Sequence, residues 1–127
     1  MAVYTKVNKK DISLINNQFE IEKIVDFQGI KKGIENTNYL LKSKRNKFIL
    51  TIFEKRVSDK EIPFFMKLME TLNNSNVNCP KPLKNKDGTY LVKLKKKNAC
   101  IVSFLSGKDK TKLNLSNCFQ VGKLIAK

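Results

Sequence analysis

Histidine is absent from this chain of 127 residues. Its three cysteines, Cys79, Cys100 and Cys118, lie far apart without a Cys-x-x-Cys pair, so nothing completes a zinc set. We interpret them as reduced structural thiols, which are typical of a cytoplasmic protein. No segment approaches the roughly 18 apolar residues that a membrane span needs, and no apolar run follows the lysines of residues 1–10. The sequence therefore predicts a soluble protein without a membrane partner.

Arginine is scarce although the formal charge is +15 at pH 7. Of the 26 basic residues only Arg45 and Arg56 are arginines, the residues whose rigid fork reads phosphates and guanine edges. The lysines are scattered, and their densest run, Lys95–Lys97, falls in a predicted turn. This pattern favours a solvated lysine-rich surface and no nucleic-acid partner. A small basic nucleic-acid-binding module is the alternative from another class, supported by charge alone.

Three successive strands are predicted in the first half of the chain. Apolar residues of one parity over Phe19–Phe27 indicate a half-buried strand, and Thr37–Lys42 forms a second. Lys47–Glu54 is apolar on both faces, as in a central strand. We call residues 29–36, which join the first two strands, the glycine-rich connection.

The spacing of the apolar residues changes from that of a strand to that of a helix after the third strand. An apolar stripe with helical spacing predicts a helix that begins at a capping box, Ser58–Glu61, or slightly later, because Pro63 is tolerated only in a first turn. We expect it to end in Asn73–Asn76, and the prolines after it favour an extended segment over residues 79–82.

Two further strands follow. Asp87-Gly88 predicts a hairpin between residues 83–85 and 90–94, and Ala99–Leu105 is a buried strand. The fold class is therefore α+β, a five-stranded antiparallel sheet with one packed helix. After a polar loop over residues 108–114, a second helical stripe begins at Leu115 and lacks a stop signal, so we expect it to be interrupted at Lys127.

The glycine-rich connection carries the functional prediction. It joins two antiparallel strands, whereas a Walker A loop or a dinucleotide fingerprint requires a following helix. Two interpretations remain: an ordinary long hairpin, and the glycine-rich flap of protein-kinase-like enzymes, in which glycines let backbone amides approach phosphates. The flap, third strand, helix, two strands and a hinge at Ser103–Gly107 follow the order of a kinase amino-terminal lobe.

Several segments resemble bacterial homoserine kinases of the aminoglycoside-phosphotransferase-like superfamily. The resemblance extends from about Val3 to the end of the chain and is most specific over Asp26–Asn38. It also includes residues 48–54, Pro63-Phe64-Phe65 with Leu68-Met69, Cys79-Pro80 and Asp87-Gly88.

This resemblance implies ATP-dependent phosphorylation of the L-homoserine hydroxyl to O-phosphohomoserine in threonine biosynthesis, with magnesium neutralising the phosphates. Residues 1–105 would form the nucleotide-binding amino-terminal lobe. Residues 106–127 would form the hinge exit and first helix of a truncated carboxy-terminal lobe. The nucleotide-binding residues implied are Gly29, Ile30, Gly33, Glu35, Asn36, Thr37, Asn38, Thr51, Ser103, Phe104 and Leu105.

Two departures from the protein-kinase pattern limit these expectations. Thr51 stands where protein kinases carry a phosphate-binding lysine; Lys55 is a candidate for that role, with Glu61 or Glu70 as its helix partner. The catalytic aspartates and the asparagine are expected in a missing carboxy-terminal lobe, so this chain would hold no catalytic residue or metal ligand and would be inactive alone. A related small-molecule kinase, acting on choline, a methylthio sugar or an aminoglycoside, is the alternative of the same fold.

Overall fold

The computed structural model describes residues 3–55 and 60–126. Eight elements follow one another in these ranges: α1 (Lys9–Gln18), β1 (Asp26–Gly29), β2 (Thr37–Lys42), β3 (Lys47–Ile52), α2 (Glu61–Asn74), β4 (Val92–Leu94), β5 (Lys97–Ser103) and α3 (Leu115–Ile125).

The five strands form one antiparallel sheet in the order β1-β2-β3-β5-β4. The chain leaves the sheet after β3 through α2, and it returns at β4 on the far edge, so that β5 inserts beside β3. The predicted fold class is thereby confirmed, and α1 is an addition to it.

α1 lies where the sequence analysis proposed no element. Asn8 caps this helix, since its side chain accepts from the Asp11 amide while the Asp11 carboxylate accepts from the Asn8 amide. Ile12 and Ile15 point into the core from the following turns. This cap and the spacing of the two isoleucines are the signals that were overlooked.

The prediction of a strand over Phe19–Phe27 is wrong for most of that segment, because β1 begins only at Asp26. The Ile24 amide donates to the Asn16 side chain at 2.8 Å, which ties this segment to α1 instead of to a neighbouring strand. Of the alternating residues Phe19 is buried but Val25 is 63% exposed, whereas Ile24, of the opposite parity, is buried. The alternation therefore does not mark a strand, and the segment is a loop packed against the core.

The hairpin predicted at Asp87-Gly88 also differs from the structure. Asn85 and Thr89 are joined by a backbone hydrogen bond of 2.8 Å around a local turn, but residues 83–85 form no strand. The sheet hairpin joins β4 to β5 through Lys95 and Lys96, whose φ angles are 48° and 65°. Two successive residues with positive φ suit a two-residue hairpin turn, which confirms the predicted turn in the lysine run.

Other boundaries shift by a few residues. β3 ends at Ile52 and β5 begins at Lys97, while α2 begins at Glu61 with Pro63 in its first turn. The predicted capping box includes Ser58 and Asp59, which lie outside the described residues.

The two faces of the sheet are covered differently. The closed face is the side on which α1 and the residues before it pack, and we call residues 3–8 the amino-terminal segment. The buried core of this face includes Tyr39, Leu41, Leu50, Ile52 and Ile101. The open face carries the alternate residues of the same strands, and α2 covers it only near Cys100, through Ile62 and Met66. No helix within residues 3–55 and 60–126 is long and apolar enough to cross a membrane.

Candidate functional site

The glycine-rich connection presents its backbone to solvent. Residues 31–35 are exposed, and their amides form no hydrogen bond with the described part of the chain. Gly33 has a φ angle of 114°, which side-chain-bearing residues rarely adopt. The Ile30 amide donates to the Asn38 carbonyl at 2.8 Å and closes the connection. Such a turn of unpaired amides is suited to receiving an anion.

Asn38 and Thr51 lie side by side where the connection enters the sheet. They are cross-strand partners on the open face, and the Thr51 hydroxyl donates to Asn38 Oδ1 at 2.7 Å. Asn38 Nδ2 has no partner among the described residues and keeps both hydrogens available. Thr51 thus orients the Asn38 side-chain amide as a neutral donor on the open face.

An apolar row continues the open face away from this pair. Leu40, Ile49 and Val102 are neighbours across three strands and are partly exposed. They lie two residues along their strands from the Asn38–Thr51 pair, which corresponds to about 7 Å. The sequence analysis did not name these residues, although the alternation in β2 could have identified Leu40 beside Asn38.

The hinge residues adjoin the end of this row. The Ser103 amide and hydroxyl are engaged with the Lys81 backbone at 2.9 Å and 2.8 Å, and the Phe104 amide donates to the Lys47 carbonyl at 3.3 Å. Leu105 is exposed. The backbone amides of Ser103 and Phe104 therefore already have acceptors. Of Ser103, Phe104 and Leu105, only Leu105 has an amide without an acceptor among the described residues.

Two of the implied nucleotide residues face elsewhere. The Thr37 side chain is fully buried on the closed face and donates to Glu54. A β-carbon on Gly29 would lie 3.0 Å from a methyl group of Val3, so this glycine accommodates the amino-terminal segment. Asn36 accepts from the Glu54 amide at 3.4 Å, whereas Glu35 is exposed. Of these four, only Glu35 has a free, exposed side chain.

The candidates for a lysine–glutamate pair are not brought together. Lys55 and Glu61 are exposed on either side of the undescribed residues. Glu70 instead accepts from Lys67 and from the Tyr90 hydroxyl, each at 2.8 Å. These two hydrogen bonds lower the pKa of the Glu70 carboxylate to about 2. Glu70 therefore joins α2 to the segment before β4.

The thiols and carboxylates form no metal site in the described ranges, where no group of three cysteine, aspartate or glutamate side chains converges. Burial raises the pKa of the Cys100 thiol to about 12, so this thiol is unreactive. All three cysteines are free.

Residues 26–127 match the model of the phosphotransferase enzyme family, so the chain belongs to that family. Within it, the chain is 39% identical over 127 residues to a homoserine kinase of Gluconobacter oxydans (strain 621H). It is 40% identical over 127 residues to a homoserine kinase of Rhodopseudomonas palustris (strain BisA53). Each alignment covers 100% of this chain and 40% or 39% of the relative. The chain thus spans about two fifths of the length of these relatives.

Solved structures support the same fold. A spectinomycin phosphotransferase in complex with ADP and spectinomycin superposes with a TM-score of 0.72 at 16% identity, over 95% of this chain and 37% of that one. A microcompartment-associated aminopropanol kinase gives a TM-score of 0.69 at 15% identity, over 91% of this chain and 37% of that one. At these identities the likeness concerns the fold alone.

Proposed function

We propose that this chain is the nucleotide-binding part of a homoserine kinase that transfers the γ-phosphoryl group of ATP to the hydroxyl of L-homoserine. The identity of 39–40% to homoserine kinases over the whole chain carries this proposal. We further propose that residues 1–105 form the nucleotide-binding lobe and residues 106–127 the start of the second lobe. The predicted cytoplasmic location belongs to the same proposal.

The arrangement of the open face supports one orientation of the nucleotide. The unpaired backbone amides of residues 31–35 and the side-chain amide of Asn38 would bind the phosphates. The apolar row of Leu40, Ile49 and Val102 would cover the base, whose edge would meet Leu105 at the hinge. Because the polar pair and the apolar row are about 7 Å apart, they match a ligand with a charged end and a flat apolar end.

In the reaction, the homoserine oxygen would attack the γ-phosphorus, and the bond to the bridging oxygen would break toward ADP. Accepting the hydroxyl proton and holding the magnesium ion are the tasks of the catalytic aspartates and the asparagine in kinases of this kind. We assign both tasks to residues outside this chain. The contribution of the chain is to bind and orient the nucleotide.

A related kinase of another small hydroxyl compound is the second candidate. It is favoured by the fold neighbours, one solved with spectinomycin and the other named an aminopropanol kinase. The acceptor pocket would be built largely by the rest of the protein, so both candidates predict the same nucleotide site.

The test is to express the full-length protein that the gene encodes and to follow ADP release with L-homoserine, choline, aminopropanol or spectinomycin as acceptor. We expect turnover with homoserine to exceed that with the other acceptors by at least about a hundredfold. Preference for another acceptor would replace the homoserine proposal with the second candidate. The chain of residues 1–127 serves as the control, and we expect no phosphotransfer from it.

A further inference from the structure

The root of the glycine-rich connection is held by a partly buried polar cluster that the proposed reaction does not use. The cluster consists of Thr5, Thr37, Glu54 and Lys97, contributed by the amino-terminal segment, β2, the loop after β3 and β5. Resting on the function proposed above, we propose that Thr37 is a positioning residue that this cluster holds in place to set the connection for nucleotide binding.

The Glu54 carboxylate is the centre of the cluster. One oxygen accepts from the hydroxyls of Thr5, at 2.6 Å, and Thr37, while the other accepts from the Lys97 ammonium group. Lys97 also donates to the Thr5 hydroxyl at 2.8 Å. Charge-assisted hydrogen bonds of this kind resist rearrangement more than neutral ones. Three separate parts of the chain are thereby fixed to the carboxylate of a fourth.

Thr37 transmits this constraint to the connection. It is the first residue of β2 and directly follows Asn36, the last residue of the connection. Its hydroxyl oxygen also accepts from the amides of Tyr4 and Thr5, at 3.0 Å and 3.1 Å. The Thr37 hydroxyl thus makes one donor bond and accepts two, which leaves its rotamer no freedom.

The amino-terminal segment supports the connection at two further points. The Tyr4 hydroxyl donates to the Ile34 carbonyl at 2.9 Å, and Val3 packs against Gly29. Farther along β2, the Tyr39 hydroxyl accepts from the Val7 amide and donates to the Thr5 carbonyl. Residues 31–35 have no other backbone partner among the described residues, and the Lys32 side chain pairs with the exposed Asp109 at 3.1 Å. In this proposal the contacts of the amino-terminal segment orient the amides of the connection.

The experiment compares Thr37→Val with Thr37→Ser in the full-length protein, by calorimetric titration with MgATP and by steady-state kinetics. We expect Thr37→Val, which lacks the hydroxyl, to raise the dissociation constant and the KM for ATP about tenfold, with less change in the KM for the acceptor. Thr37→Ser restores the hydroxyl and should bring both constants within about twofold of the wild type. Such rescue is not expected if only the volume of the side chain matters.

Tyr90→Phe is the matched control, because it removes a hydrogen bond to Glu70 at α2, away from the connection. It should lower the melting temperature without changing ATP binding. If Thr37→Val does not fold, Thr5→Val, which removes a donor to Glu54, should raise the dissociation constant about threefold. A wild type that binds no ATP would overturn the proposed function. Folded valine variants that bind ATP as tightly as the wild type would overturn the positioning role and leave the proposed function standing.

Discussion

The closed and open faces of the sheet are made by the same strands, yet they differ in what satisfies their side chains. On the closed face, α1 and the amino-terminal segment bury the apolar residues and pair the polar ones, so that each hydroxyl of the Glu54 cluster has a partner. On the open face, the side-chain amide of Asn38 has no partner among the described residues, and Leu40, Ile49 and Val102 remain partly exposed. The closed face therefore holds the larger core, and the open face is the one that we propose binds the nucleotide.

The largest expected effect is a difference in the free energy of unfolding between alanine variants of two neighbouring residues of β3. Leu50 is 0% exposed on the closed face, and Leu50→Ala should lower the free energy of unfolding by about 2–5 kcal/mol. Ile49 lies on the open face, and Ile49→Ala should cost about 1 kcal/mol or less. Urea denaturation of the full-length protein measures both losses. Equal losses would contradict the difference between the two faces.

A smaller effect is expected for the charge of the Glu54 cluster. Partial burial alone would raise the pKa of Glu54, but hydrogen bonds from Lys97, Thr37 and Thr5 outweigh it and lower the pKa below the ordinary 4.5. Its stabilisation is therefore complete well above pH 4.5 and is lost as the pH falls through the lowered pKa of the folded state. At pH 7, Glu54→Gln should reduce the free energy of unfolding by about 2 kcal/mol.

The measurement is thermal and chemical unfolding of wild type and Glu54→Gln between neutral and strongly acidic pH. The difference between the two proteins should shrink on acidification, because the wild-type carboxylate becomes protonated. A difference that stayed constant with pH would show that the carboxylate charge makes no contribution.

The smallest effect concerns the open face. Thr51→Val removes the hydroxyl that orients Asn38 and should weaken ATP binding about fivefold, which corresponds to one ordinary hydrogen bond. Thr51→Ser keeps the donor and should bind ATP within about twofold of the wild type. Isothermal titration calorimetry with MgATP distinguishes them. Unchanged affinity in Thr51→Val would mean that the Asn38 orientation is irrelevant to the nucleotide.

Much of the sheet could be predicted from the sequence, because alternation in β2 and the apolar run of β3 are local patterns. α1 was not predicted although its Asn8–Asp11 cap is equally local, because only Ile12 and Ile15 of this helix are buried and they make a very short apolar stripe. The Asn16–Ile24 hydrogen bond that excludes that strand is a tertiary contact. No periodicity in the sequence reveals it.

The candidate site was predictable in part. The connection could be identified from its glycines and its place between strands, and Asn38 and Thr51 do face each other on the open face. The Glu54 cluster could not be predicted, because Thr5 and Lys97 are 92 residues apart in the sequence. Thr37 was included because the family resemblance implies that residues 29–38 cover the triphosphate, yet consecutive residues of a strand point to opposite faces, and the Thr37 hydroxyl donates to Glu54.

The contact between Val3 and Gly29 has a practical consequence for handling the protein. An affinity tag or fusion partner added at the amino terminus would be joined to the chain within a few residues of this contact, which lies beside the connection that we propose binds the triphosphate. Its bulk and charge would act on nucleotide affinity as an unintended mutation does. Preparations for quantitative work are therefore best compared before and after tag removal.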